Sequence, residues 1–171
     1  MFNDQIRDAL KGNVFAETGT GFLQGSKSCY EGVVYGIRAN TVGKGGTWTP
    51  QNANQCVTYV SCHDNNTLFD RIALAAPEAP RDMRIRMNNL AAAFSILSQG
   101  VPFMQAGEEM LRSKPLGDGT FDHNSYASPD SVNSLKWDNL NDPAYQDVYN
   151  YYKGLIAFRQ AHPALHMTTA A

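Results

Sequence analysis

The sequence predicts an α/β fold with parallel strands, and three observations carry that prediction. Cys56 to Cys62 is an apolar, β-branched run of strand length. Arg81 to Gln99 is amphipathic and long enough for a helix, and the short apolar run Val101 to Ala106 follows it directly. Strand, helix, strand in that order implies a βαβ unit with a right-handed crossover. Third, the polar residues His63, Asp64, Asn65 and Asn66 crowd behind the first strand, at the carboxyl end where parallel α/β folds build their sites.

The remaining elements follow in chain order. Ile6, Ala9 and Leu10 share one face of a short helix from Asp4 to Leu10, with Gly12 as its stop. Glu17 to Ser28 is punctuated by glycine and serine and reads as a loop around Phe22 and Leu23. Tyr30 to Asn40 has Val33, Val34 and Ile37 at helical spacing, although its β-branched content would also suit a strand. Gly43 to Asn54 is rich in Gly, Thr, Pro and Asn and delivers the chain into the first strand. In the long helix, opened by Pro80 and Asp82 and ended by Gly100, the apolar positions are Ile85, Leu90, Ala93, Phe94 and Leu97. Ser113 to Pro143 is a loop too long for a plain connection and is expected to have functional or packing work. Ala144 to Ala161 presents Val148, Tyr151, Tyr152, Leu155, Ile156 and Phe158 as a last helix, stopped at His162-Pro163.

The bulk properties set bounds. With 171 residues, 43% hydrophobic and 18% charged, the chain can bury a core. Its net charge of −2 and lack of a basic run argue against nucleic acid as a partner. The first residues, MFNDQIRDALKG, hold no apolar stretch fit for a signal peptide or a membrane span, so no membrane partner is expected. Compartment stays open between secreted and cytoplasmic. Cys29, Cys56 and Cys62 form no CxxC pattern and are expected as small buried or half-buried side chains. His63, Asp64, Asp122 and His123 lack ligand spacing on one element, so neither a metal nor another cofactor is expected.

The segment VTYVSCHDNNTLFDRI closely resembles the fourth signature region of the α-amylase superfamily, in the form seen in type I pullulanases. VPFMQAGEEMLRSK, NSYASPDSVNSLKWD and YYKGLIAFRQAHPAL continue the resemblance in the same order, and FNDQIRDALKGNVF extends it to the start of the chain. The resemblance implies a partial (β/α)8 TIM barrel, from about the end of the sixth strand through the eighth helix. Residues 1–171 would then be the C-terminal portion of a catalytic domain, with a following β-sandwich absent. A whole barrel takes about 250 residues, so length also argues for a fragment.

By the same resemblance Asp64 is the transition-state-stabilising carboxylate and His63 a neighbouring donor to sugar hydroxyls. Asp130 and Asn133 would shape glucose-binding subsites, with Asx-turn chemistry after Pro129 as the plain alternative. Retaining hydrolysis needs a nucleophile and an acid/base carboxylate about 5 Å apart. No FRFD-like or GEGW-like segment is present to supply them. The resemblance gives Glu108 and Glu109 a structural role near the barrel top, and the opposite facing of adjacent residues on a strand also weakens a paired catalytic role. Asn65, Asn66 and Asp70 read as residues that cap and orient the loop. Of the aromatic residues, Tyr59 and Phe103 read as core, and Trp137 as the one to test for stacking on sugar.

The expected function is therefore that of a starch-debranching enzyme acting on α-1,6-glucosidic linkages in pullulan, amylopectin or glycogen, of which this chain holds an inactive part. Branched α-glucan is the expected partner. Alternatives are another superfamily enzyme, of isoamylase or branching type, and a non-catalytic glucan-binding fragment. Severed strand edges also predict self-association.

Overall fold

The computed structural model describes residues 1–16, 18–41 and 48–168. Part of the expected Gly43 to Asn54 loop and the chain's last residues lie outside them.

Three parallel segments lie side by side. Phe2 makes a parallel bridge to Val57, with the Asn3 N–H donating to the Val57 carbonyl at 2.9 Å. Strand β1 (Val57–Thr58) then pairs in parallel with β2 (Val101–Pro102), Val57 opposite Val101 and Thr58 opposite Pro102. Both regular strands are far shorter than the expected runs 56–62 and 101–106. The last rung is the Phe103 N–H donating to the Thr58 carbonyl at 2.9 Å. Beyond it the chains are held by side chains, because Ser61 hydrogen-bonds Glu108. The observed architecture is thus a mainly helical α/β arrangement around a two-stranded parallel sheet.

Helix α1 (Asp4–Lys11) starts where the Asn3 side chain accepts the Ile6 N–H and stops at Gly12, whose φ of 87° suits glycine. Helix α2 (Tyr30–Ile37) settles the strand-or-helix ambiguity in favour of helix. Gly36 lets it close on α1, since a Cβ there would lie 2.4 Å from that of Ile6. The β1 to β2 crossover holds two helices rather than one. Helix α3 (Leu68–Ala75) was not expected; its signal was Thr67, whose side chain accepts the Asp70 N–H as an N-cap.

Helix α4 (Arg81–Leu97) joins two cores. Ala91 packs with Ile6, Leu10, Val33, Val60, Leu68 and Ile72. Ala92 and Ile96 pack with Leu111 and with Val148 and Tyr152 of helix α6 (Pro143–Ala161). Of the expected apolar face of α4, Ile85, Phe94 and Leu97 pack half-buried against these cores, but the fully buried positions are others. Small and polar residues, Asn88, Ala91, Ala92 and Ser95, face the interior, because helices packed on both sides need close approach. Leu90 is exposed, and with Ile37, Ala93, Phe94 and Leu97 it borders an apolar hollow of about 260 Å³. On α6, Val148 and Tyr152 are buried while Tyr151, Ile156 and Phe158 are exposed. The 113–143 segment folds into short turns and helix α5 (Asp130–Asn133).

Candidate active site

His63 and Asp64 follow the buried residues Tyr59, Val60 and Ser61 and stand outward at the carboxyl end of β1. Their side chains are 88% and 72% exposed, with His63 Nε2 3.5 Å from Asp64 Oδ2. Asn65 closes the turn in the left-handed region, at φ 63°, which asparagine tolerates. Thr67 then starts α3.

Both sides of this turn are anchored to one segment. Before it, the Ser61 hydroxyl donates to Glu108 Oε1, which also accepts the Gln105 N–H at 3.0 Å. After it, Asp70 accepts the Ser113 hydroxyl, and its second oxygen accepts the Lys114 N–H at 2.8 Å. The exposed pair is therefore displayed by a doubly pinned loop, as a preorganised site requires. Asp70 has the orienting role expected of it. Glu108 is buried, and Glu109 is half-buried with its Oε2 accepting the Gly107 N–H at 2.9 Å.

Burial pushes the Glu108 carboxyl up from 4.5 to about 7, against the hydrogen bonds from Ser61 and Gln105. Burial pushes Lys11 down from 10.5 to about 8, the attraction of Glu108 opposing it. The native state thus holds more protons than the unfolded chain between pH 4.5 and 7, and stability falls as pH rises through that window. Between pH 8 and 10.5 the unfolded chain holds more protons at Lys11, and stability rises. Glu108→Gln is expected to abolish the fall between pH 5 and 7, read as urea midpoints at those two values; an unchanged difference would refute it.

Two adjacent clefts meet at His63 and Asp64. The wider, about 750 Å³, is bordered also by Phe2, Asp4, Tyr59 and Phe103. Tyr59 is buried as expected, its hydroxyl donating to Asp4 and accepting from Arg7 Nη1 at 2.8 Å. Burial and that bond to Asp4 raise the phenol. Phe103, expected in the core, instead lies partly exposed on the cleft wall, edge-to-face with Phe2 at 5.5 Å between centroids. Its own N–H makes the last sheet rung, to the Thr58 carbonyl.

The narrower cleft, about 180 Å³, is bordered by Gln105, Arg112, Lys114, Tyr126 and Asn133 as well as by the pair. Asn133 is thus brought to the site. Its amide nitrogen donates to the carbonyls of Ser125 at 2.6 Å and Ser128 at 3.0 Å, so at least that half of the side chain orders a turn. Asp130, exposed on the first turn of α5, borders neither cleft, nor does the exposed Trp137. His123, considered from sequence only as a metal ligand, borders both clefts. The described residues include no group of three or more metal-ligating side chains. The three cysteines are unpaired, Cys56 buried and the other two half-buried.

Fold and site together define an α/β protein whose open, acid-bearing cleft sits at the carboxyl ends of parallel strands. No family model matches the chain. It is 37% identical over its whole length to a pullulanase of Bacillus subtilis (strain 168), of which it spans 23%. Its structure superposes with a TM-score of 0.89 on the pullulanase from Bacillus acidopullulyticus, at 39% identity over 99% of this chain and 19% of that one. The pullulanase from Paenibacillus barengoltzii, solved in complex with maltohexaose and alpha-cyclodextrin, gives a TM-score of 0.88 at 42% identity, over 99% of this chain and 25% of that one. Over its whole length the chain is thus similar to pullulanases, of which it spans about a fifth to a quarter.

Proposed function

We propose that this chain forms one wall of the active site of a retaining glycoside hydrolase that cleaves α-1,6-glucosidic linkages in pullulan, amylopectin or glycogen. The observation that carries the reading is the exposed His63-Asp64 pair, set at a strand's carboxyl end between two clefts, in a chain matched end to end by pullulanases. Residues 1–171 are read as the C-terminal portion of a (β/α)8 barrel. The three parallel segments at Phe2, Val57 and Val101 support this as adjacent strands six, seven and eight.

In this reading Asp64 accepts hydrogen bonds from hydroxyls of the sugar at the scissile bond, bonds that tighten as the ring flattens toward the oxocarbenium ion. His63 donates to the same sugar. Asn133 borders the adjoining subsite, and Asp130 is retained as a subsite residue that a closing ligand would meet. The nucleophile and acid/base come from outside these residues. Asp4, the other carboxylate on the wider cleft, is engaged by Tyr59 and Arg7. Glu108 is buried.

Release of reducing ends from pullulan tests the reading. The chain alone is expected to give none, and a Bacillus subtilis pullulanase in which this chain replaces the aligned segment is expected to turn over. Turnover by the chain alone would sink the incomplete-site reading. The apolar hollow on α4 and the short sheet's edges support self-association of the isolated chain. A monomeric sedimentation profile would refute that part.

A further inference from the structure

The chain that carries His63 and Asp64 has little hydrogen bonding of its own. Between the Phe103-to-Thr58 rung and the Thr67 cap, no backbone–backbone hydrogen bond holds residues 59–66 among the described residues. Tyr59 is tied to α1 through Asp4 and Arg7. Two positions on, the buried Ser61 hydroxyl donates to Glu108 Oε1, the last side-chain hydrogen bond before the exposed pair among the described residues. Glu108 is itself fixed, because its N–H donates to the Gln105 carbonyl at 3.1 Å while Oε1 accepts the Gln105 N–H at 3.0 Å.

Folding alone explains this carboxylate poorly. Glu108 makes no ion pair among the described residues, and its Oε2 is buried without a hydrogen-bond partner. A buried charge in that state costs stability that an apolar side chain of similar volume would not. Such costs are tolerated where a group serves a site. We infer that Glu108 is a positioning residue for Asp64: through Ser61, its Oε1 fixes how the chain leaves β1 and so where the Asp64 carboxylate stands. This rests on the role proposed above for Asp64 and adds a residue that touches no ligand. The second clasp runs the other way, from Asp70 behind the turn to Ser113 and Lys114, so the turn and the 105–114 segment hold each other at both ends. A reacting group misplaced by about 1 Å can forfeit about 10²-fold in rate, which is the scale on which such a clasp acts.

The test compares two backgrounds of the Bacillus subtilis pullulanase that carries this chain as its aligned segment. Ser61→Ala removes the donor and little volume, and is expected to lower kcat on pullulan about tenfold with KM within about twofold. Made in the Asp64→Asn enzyme, where the positioned charge is already gone, it should lower kcat by less than about twofold. A fold-loss equal in the two backgrounds would show a general weakening of the fold; it overturns the positioning role and leaves that of Asp64 standing. Parent-like kcat for Ser61→Ala does the same. Parent-like kcat for Asp64→Asn overturns both. Glu108→Gln, which keeps an acceptor at Oε1, is expected to recover most of the kcat that Glu108→Leu loses, and a Gln variant as slow as the Leu variant refutes the acceptor. In the chain by itself, backbone order parameters from NMR relaxation over residues 62–66 should fall in Ser61→Ala, from about 0.85 toward 0.6. Unchanged values there also overturn the clasp.

Discussion

Asp64→Asn is expected to lower kcat/KM on pullulan by about 10²–10³-fold in the Bacillus subtilis pullulanase carrying this chain as its aligned segment. The substitution keeps size and shape and removes the negative charge at the atoms that, in the proposed role, accept sugar hydroxyls. Those hydrogen bonds are charge-assisted, and they strengthen as positive charge develops on the ring, so the loss falls on the transition state more than on substrate binding. Hence kcat should fall and KM change little. Stability should not move, because Asp64 is 72% exposed and its ion-pair partner among the described residues, His63, is 3.5 Å away and itself exposed. A matching loss of melting temperature would show instead that Asp64 holds the turn. His63→Ala should cost less, since a single donor to one hydroxyl is removed.

Arg159→Met is expected to destabilise the fold by about 2–4 kcal/mol, the largest effect on stability foreseen. Arg159 is 8% exposed on α6 and reaches the end of α4. Nη1 donates to the carbonyls of Ile96 at 2.7 Å and Ser98 at 2.6 Å, and Nη2 donates to Gly100 at 2.7 Å. Carbonyls at a helix end lack partners within the helix and carry its partial negative charge, so a cation there satisfies both demands. Methionine preserves the stem's packing and leaves three interior carbonyls without a donor. Burial holds the guanidinium below its ordinary pKa, yet it stays charged throughout the working range. For a chain of this size the shift corresponds to a melting temperature about 5–15 °C lower. Arg159→Lys should recover only part of it, since one ammonium cannot span three carbonyls in a fork. A melting temperature within about 2 °C of the parent for Arg159→Met would refute the argument.

Helix positions were largely legible because local rules govern them. Gly12 stops α1 and His162-Pro163 stops α6 as expected, while α6 opens one residue earlier than expected, at Pro143 behind the Asp142 cap. The α3 helix was missed because Asn65, Asn66 and Asp70 were read as orienting a loop, whereas Thr67 caps a helix that holds Asp70 in its first turn. Which face of each helix turns inward was less legible. Leu90 is the larger and more hydrophobic residue, yet Ala91 is the buried one, because α4 is packed on two sides and close approach favours small side chains there. The strand runs were overextended for a similar reason: composition records burial, whereas a ladder needs a partner backbone within reach.

For the site, the sequence by itself placed His63 and Asp64 at a strand's carboxyl end and set them in a pullulanase-like context. Local chain order is enough for that, since a strand fixes where its next residues emerge. Only the tertiary structure decided which distant groups stand beside them. It brought Tyr126 and Gln105 to the same cleft as Asn133, kept Asp130 and Trp137 away from it, and buried Glu108 beneath Ser61. Those outcomes depend on contacts between segments tens of residues apart, such as Asp70 with Lys114 and Arg159 with the end of α4. No local pattern encodes them, because each exists only when both partners have been folded into the same place.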